Sequence, residues 1–200
     1  MTITPTTTDD DLLRQMRAGR ADAFAALYRR HQGPVYRFAL LRCGSGDTAA
    51  DIVQECFLGL LGGRFAFDPS RGALQHFLFG VARLLILKHE APRRRESPLP
   101  EAGAPDAGTF GADDDETEAA CEAAGPLARL LADEAAEEVR RALARLAPHY
   151  RDAVILYEMH DLSYLEIAAV CQVDIGTVRS RLARGRAALA KHLRAHAGAA

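Results

Sequence analysis

The stretch from Asp161 to Arg186 constrains the fold more than any other part of the chain, because it predicts two short helices around a tight turn. Ser163 and Glu166 have the S-x-x-E spacing of a capping box, which predicts that the first helix starts at Ser163. Asp174 is suited to cap the second helix, since its carboxylate can accept hydrogen bonds from free backbone N–H groups. This pattern is typical of a helix-turn-helix.

The second helix of this pair has one apolar face and one strongly basic side. Val178, Leu182 and Leu189 repeat at helical spacing. Residues 175–194 include six Lys or Arg residues and no acidic residue, whereas a merely solvated helix surface usually mixes both signs. Arginine side chains bind guanine edges and phosphates, so the sequence predicts a DNA-recognition helix. Its candidate contacts are Thr177, Arg179, Ser180, Arg181, Arg184 and Arg186.

An acidic segment divides the chain. Residues 96–122 contain nine Asp or Glu residues and no Lys or Arg, so a chain of net charge −2 carries +7 outside this segment. The segment is otherwise rich in Ala, Gly and Pro and cannot build a core. We expect a flexible acidic linker over 96–125 between units 1–95 and 126–200. The predicted fold class is all-α, with two small helical bundles joined by this linker and the second ending in the helix-turn-helix.

The sequence gives no support for an enzyme, a metal site or a membrane protein. It contains no G-x-x-x-x-G-K or H-E-x-x-H motif, and its four cysteines form no C-x-x-C pair. We expect buried free thiols, no cofactor and no bound metal. No apolar run reaches the ~18 residues that span a bilayer, and the N-terminus lacks the segments of a signal peptide. The expected location is therefore cytoplasmic, without membrane insertion.

Four motifs resemble those of bacterial extracytoplasmic-function (ECF) sigma factors, and they occur in the order found in that family. The motifs are Ala50-Asp-Ile-Val-Gln-Glu-Cys-Phe57, Leu146-Ala-Pro-His-Tyr-Arg151, Ser163-Tyr-Leu-Glu-Ile-Ala168 and Gly176-Thr-Val-Arg-Ser-Arg-Leu-Ala-Arg-Gly-Arg186. The resemblance implies a non-catalytic subunit that binds core RNA polymerase, directs it to promoters and helps to melt them. Its implied partners are core RNA polymerase, promoter DNA and an anti-sigma factor. The usual glycine in the turn of the helix-turn-helix is Gln172 here.

The resemblance also assigns roles within the first unit. It places Asp51, Gln54 and Glu55 on a helix face that binds core polymerase, where a solvated surface is the alternative. It implies that the following loop and helix capture an unpaired base of the minus-ten element and hold the melted strand. The residues concerned are Phe65, Phe67, Asp68, Arg71, His76, Phe79 and Arg83. Aromatic rings stack on bases and cations pair with phosphates, but core packing is the alternative for Phe65 and Phe67.

In the second unit, the resemblance assigns DNA contacts to the same residues that the basic helix face suggests. Arg179, Ser180 and Arg184 would meet the minus-35 element, with Thr177, Arg181 and Arg186 available to phosphates. A free-standing helix-turn-helix regulator that binds operator DNA is the alternative function. That alternative leaves the motif at 51–55 and the aromatic loop without an assigned purpose.

Overall fold

The computed structural model describes residues 7–96 and 126–197, which form eight α-helices and one short 3-10 turn at Pro69–Arg71. The helices are α1 (Asp9–Arg17), α2 (Ala21–Cys43), α3 (Gly46–Leu61), α4 (Leu74–Glu96), α5 (Pro126–Ala144), α6 (Pro148–Glu158), α7 (Tyr164–Cys171) and α8 (Ile175–Ala197). Within these described ranges there is no strand, so the all-α prediction is confirmed. Of the predicted linker 96–125, only Glu96 lies inside the described residues, as the last residue of α4.

The first unit is built by α1 to α4 around α2, which packs against each of the other three helices. Phe38 and Phe57 are fully or almost fully buried at the centre of this bundle, together with Leu27 and Leu78. Burial of a side chain of this kind stabilises a fold by about 1.5–3 kcal/mol. The apolar face of α3 therefore points into the core and leaves its polar face outward.

The second unit is formed by α5 to α8, with α6 and α8 in close contact. Leu143, Ile155 and Val178 are buried where these helices meet. Gly185 lies where α8 crosses α6, and a Cβ atom at this position would come within 2.7 Å of Val154 Cγ2. The small residue therefore allows the two helices to approach closely.

The two units pack against each other and share one continuous core. Helix α2 contacts α5 and α6, and α4 contacts α7. The apolar residues Leu74, Phe77, Leu78, Val81 and Leu85 predict one inward face of α4 and leave Phe79 on the opposite, open face. In the structure, Phe79 is completely buried at this junction. That prediction is wrong because α4 is covered on both sides, by the first unit and by the second. The boundaries of the units at 95 and 126 remain predictions.

Candidate nucleic-acid and polymerase interfaces

Helix α3 presents an outward face with a mixed acidic and apolar character. Asp51 and Gln54 are exposed, as predicted, while Glu55 is partly covered and pairs with Arg64 through a 3.1 Å contact. Leu58 and Leu61 are 56% and 49% exposed. The spacing 51, 54, 58 and 61 places this set on one helix face. The sequence interpretation missed the two leucines, although the same spacing could have revealed them.

The loop after α3 holds one aromatic ring half-exposed. Phe65 N donates a 3.1 Å hydrogen bond to the Gly59 carbonyl, and the ring lies directly over that glycine. The Arg64 guanidinium carbon is 4.7 Å from the ring centroid, within the range of a cation–π contact. Phe65 is thus a half-exposed ring beside a cation, which is the combination that binds an unpaired base and its phosphate.

Phe67 has a different environment from Phe65. It is 7% exposed, and its ring lies 5.3 Å from that of Phe77 on α4. Its carbonyl accepts a 3.1 Å hydrogen bond from Arg17 Nη2 on α1. Phe67 is therefore a core residue, which is the alternative to base stacking, and its side chain anchors the loop to the bundle.

Asp68 and Arg71 lie at the exposed end of the same loop. Asp68 caps the 3-10 turn by accepting hydrogen bonds from the Ser70 backbone N–H at 2.9 Å and from the Ser70 hydroxyl at 2.7 Å. These hydrogen bonds lower the pKa of the Asp68 carboxyl. The loop conformation is therefore fixed locally, with Arg71 exposed beside the cap.

The second unit covers the part of α4 that was predicted to bind the melted strand. Phe79 packs against Phe38 at 5.5 Å and against His160 at 4.5 Å, measured between ring centroids. Arg83 Nε donates a 2.9 Å hydrogen bond to Asp152 Oδ2 on α6. His76 Nδ1 lies 3.7 Å from Glu166 Oε1 on α7. In this conformation, Phe79 and Arg83 are not available to DNA.

The helix-turn-helix has the local geometry that the sequence predicts. Both hydrogen bonds of the capping box are present, at 3.3 Å from Glu166 N to Ser163 Oγ and at 2.8 Å from Ser163 N to Glu166 Oε2. Gln172 adopts the left-handed conformation with φ of 56°, the role that a glycine usually fills. Asp174 accepts 2.9 Å bonds from the Thr177 N–H and hydroxyl, which lower the pKa of its carboxyl.

Helix α8 separates its buried and basic residues as expected. Arg179, Ser180 and Arg184 are exposed on one side, and Ser180 Oγ donates a 2.9 Å bond to the Thr177 carbonyl. Arg186, another arginine of the predicted set, is already engaged by residues of α6. Arg186 Nε lies 2.6 Å from Glu158 Oε1, and its guanidinium carbon is 4.5 Å from the Tyr157 ring centroid.

Arg181 is half-buried, and its Nη1 atom has no hydrogen-bond partner among the described residues. A buried guanidinium N–H without a partner is costly, so Arg181 is not fully satisfied in this conformation. The exposed and half-exposed cations of α8 together form a basic surface, and α8 itself contributes no acid to it, although Glu158 of α6 pairs with Arg186.

Within residues 7–96 and 126–197, the cysteines and potential metal ligands give no sign of another site. Cys43, Cys56 and Cys171 are free thiols, and burial raises the pKa of Cys56 to about 12 and that of Cys171 to about 11. Cys121 lies outside the described residues. In the described parts of the chain, no three His, Cys, Asp or Glu side chains are grouped as metal ligands. Nor does any helix there combine the length and apolar character needed to cross a membrane.

The fold and the basic α8 define a helix-turn-helix protein with an additional four-helix bundle. Residues 27–96 match the family described as Sigma-70 region 2, and residues 136–189 match Sigma-70, region 4. The chain is 32% identical over 184 residues to the ECF RNA polymerase sigma-E factor of Escherichia coli strain K12, an alignment that covers 91% of this chain and 92% of that protein. The chain belongs to the ECF family of RNA polymerase sigma factors.

Other similar proteins agree with this assignment. The ECF RNA polymerase sigma factor SigE of Mycolicibacterium smegmatis is 34% identical over 170 residues, which cover 85% of this chain but only 61% of that longer protein. The sigma factor RpoE of Bartonella quintana, solved in complex with the anti-sigma factor NepR, has a similar fold with a TM-score of 0.61. That alignment covers 86% of this chain and 96% of RpoE at 23% identity, and so supports the fold alone.

Family membership decides between the two functions that the sequence left open. A sigma factor directs RNA polymerase to promoters, and it is an initiation factor. The region 2 match accounts for the first unit, which a free-standing operator-binding regulator leaves without a purpose. The protein is therefore a promoter-directing sigma factor.

Proposed function

We propose that this sigma factor binds core RNA polymerase through the outward face of α3. The observation that carries the proposal is the exposed set Asp51, Gln54, Leu58 and Leu61 on one helix face, next to the partly exposed Glu55. Exposed leucines provide apolar contact area, while the acidic and amide groups provide polar contacts that fix orientation. Solvation alone accounts poorly for two large exposed apolar side chains at this spacing.

We further propose a division of the DNA contacts between the two units. The first unit would use Phe65, with Arg71, His76, Phe79 and Arg83, to bind the melted minus-ten strand. Phe67 and Asp68 would support the loop that presents Phe65, because one is a buried anchor and the other a turn cap. In the second unit, Arg179, Ser180 and Arg184 would read the minus-35 element. Thr177, Arg181 and Arg186 would contact its phosphates.

The remaining parts of the proposal concern the cellular location, the catalytic activity and the regulation of the protein. We propose that the protein is cytoplasmic, has no catalytic activity of its own and is controlled by an anti-sigma factor. The support for that partner is family membership, together with two solved complexes whose first-named proteins have a similar fold. RpoE of Bartonella quintana was solved with NepR, and CnrH was solved with the cytosolic domain of CnrY.

Binding of the full chain to core RNA polymerase tests the proposed interface. We expect Asp51→Arg to weaken binding at least about tenfold, because it places a cation where an acid is proposed to meet the polymerase. Asp10→Arg is the matched control, since it makes the same change at an exposed position on α1. Helix content measured by circular dichroism establishes that each variant is folded.

Two results would count against the proposal. Equal affinities of the Asp51→Arg and Asp10→Arg variants would show that α3 is not the interface. Failure of the folded wild-type chain to bind core polymerase would remove the proposed polymerase partner altogether.

A further inference from the structure

Arg64, in the loop between α3 and α4, is held in place by three contacts. Its Nη2 atom lies 3.1 Å from Glu55 Oε1 and donates a 3.3 Å hydrogen bond to the Glu55 carbonyl. Its guanidinium carbon lies over the Phe65 ring, 4.7 Å from the centroid. Because these contacts already restrict the guanidinium group, a ligand that binds to it causes a smaller loss of side-chain entropy.

Gly59 provides the space in which both side chains meet α3. A Cβ atom at this position would lie 3.2 Å from Arg64 Nε, and the Phe65 ring would be closer still. The Phe65 backbone N–H also donates a 3.1 Å hydrogen bond to the Gly59 carbonyl. The cation and the ring are therefore positioned together by α3, and not by the loop alone.

The contacts of Arg64 leave much of its guanidinium group open to a ligand. The side chain is 53% exposed, although one side lies against the Phe65 ring and Nη2 is engaged by Glu55. The Glu55 carboxylate offsets the positive charge, which weakens the attraction of Arg64 for a phosphate. Stacking of the planar guanidinium group on a base needs neither a free donor nor a net charge. The exposed side of Arg64 is therefore better suited to a base than to a phosphate.

From these observations we infer that Arg64 stacks on an unpaired base of the melted strand, with Phe65 beneath it as a platform. A base that approaches the side of the Phe65 ring covered by Arg64 meets the guanidinium group before the ring. The inference rests on the proposed binding of the melted strand by the first unit, and it adds a residue and a binding mode to that proposal. Since every base has a π face, this contact contributes affinity with little sequence preference.

An abasic nucleotide distinguishes stacking on a base from pairing with a phosphate, because it keeps the phosphate and lacks the base. The protein to be tested is the full chain bound to core RNA polymerase. The probe is a fork-junction DNA, double-stranded at minus 35 and single-stranded across the minus-ten element. Its sequence is that of a promoter selected by this polymerase from a pool of random DNA. Each single-stranded nucleotide is made abasic in turn, and fluorescence anisotropy measures the Kd.

Two substitutions separate the charge of Arg64 from its planar shape. Arg64→Ala removes both, whereas Arg64→Lys keeps the charge alone. Arg14→Ala is the matched control, because Arg14 is an exposed arginine of α1 whose Nη1 atom lies 3.0 Å from the carboxylate of Asp11. Circular dichroism establishes that each variant is folded.

We expect one strand position at which an abasic nucleotide weakens binding by the wild type about fivefold or more, as for loss of a stacked base. Both Arg64 variants should bind the intact probe more weakly by a similar factor and should no longer respond to that abasic position. Arg14→Ala should respond as the wild type does. Fluorescence of 2-aminopurine placed at that position should be quenched with the wild type, because the base is stacked, and brighter with both Arg64 variants.

Two results would overturn the inference. If Arg64→Lys kept the wild-type affinity and the wild-type response at every position, the charge alone would be sufficient. If Arg64→Ala weakened binding of the intact and all abasic probes equally, or did not weaken it at all, Arg64 would contact a phosphate or nothing.

Failure of the proposed function gives a different result. If neither an abasic nucleotide nor Phe65→Ala weakened binding at any position, the first unit would not bind the melted strand as proposed. If both weakened binding while the Arg64 variants behaved as the wild type, only the stacking on Arg64 would be contradicted.

Discussion

Replacing Gly59 with alanine tests whether this glycine positions Phe65. A Cβ atom at Gly59 would lie 2.2 Å from Phe65 Cε2 and 2.3 Å from Cδ2, so the ring would have to leave its place. Gly59 is within α3 and has ordinary helical backbone, so alanine suits its conformation. The substitution therefore acts on the aromatic ring rather than on the helix.

Two effects of similar size oppose each other in this variant. Alanine is favoured over glycine in a helix interior by about 1 kcal/mol. Displacing the half-buried ring removes apolar contact and the cation–π contact with Arg64, together about 1 kcal/mol. We expect Gly59→Ala to change the free energy of unfolding by less than about 0.5 kcal/mol. In a Phe65→Ala background there is no ring to displace, so Gly59→Ala should raise the free energy of unfolding by about 1 kcal/mol.

Urea denaturation of the wild type, both single variants and the double variant measures the coupling between the two positions. We expect a coupling energy of about 1 kcal/mol. Promoter opening by polymerase reconstituted with Gly59→Ala should fall towards the level of Phe65→Ala, although the protein remains stable. Additive unfolding energies would refute the reasoning, because they would mean that Phe65 does not rest on Gly59 in solution.

Two further predictions concern the second unit. Arg184→Ala should cost about 1–3 kcal/mol in minus-35 binding and relax base preference, as measured by anisotropy with variant duplexes. Lys191→Ala, at another exposed cation of α8, should mainly reduce the salt dependence. Burial and, to a smaller extent, the charge of Arg37 lower the pKa of His160 from an ordinary 6.5 to about 4, with Asp161 partly opposing both. Because unfolding lets His160 bind a proton below pH 6.5, the free energy of unfolding should fall between pH 7 and pH 5. The pKa difference sets a limit of about 2 kcal/mol at pH 5, and solvent screening reduces the expected loss to about 1 kcal/mol. Urea denaturation at both pH values checks this, and a His160→Leu protein should lose that part of the pH dependence.

The helix-turn-helix could be predicted from sequence because its determinants are local. The capping box at Ser163 and Glu166 and the N-cap at Asp174 each involve residues three positions apart, and the structure contains both. Gln172 takes the left-handed turn despite its side chain, so the surrounding helices impose that conformation. Short-range hydrogen bonding of this kind is visible in a one-dimensional pattern.

The surroundings of α4 could not be predicted in the same way. Helical periodicity identifies apolar faces but does not tell how many partners a helix has. Phe79 follows the apolar pattern poorly and was assigned to an open face, yet it is completely buried because the second unit covers α4. Arg42 and Asp152 belong to types that are rarely buried, and they lie 110 residues apart in sequence. Only the tertiary structure brings them together.

The ion pair between Arg83 and Asp152 lies on the face of α4 that the sequence predicts to be open. This ion pair bears on the proposed function, because Arg83 is one of the residues proposed to bind the melted strand. A cation that is neutralised by a buried carboxylate contributes little attraction for a phosphate, so the proposed phosphate contact of Arg83 competes with its pairing to Asp152. Phe79 is in the same position, because the ring surface that packs on His160 is the surface that a base would stack on. Side chains that serve two alternative partners must satisfy the packing rules of a core and the recognition rules of a binding surface. That double requirement explains why the family resemblance assigns both residues to DNA, while the structure buries Phe79 and pairs Arg83 with Asp152.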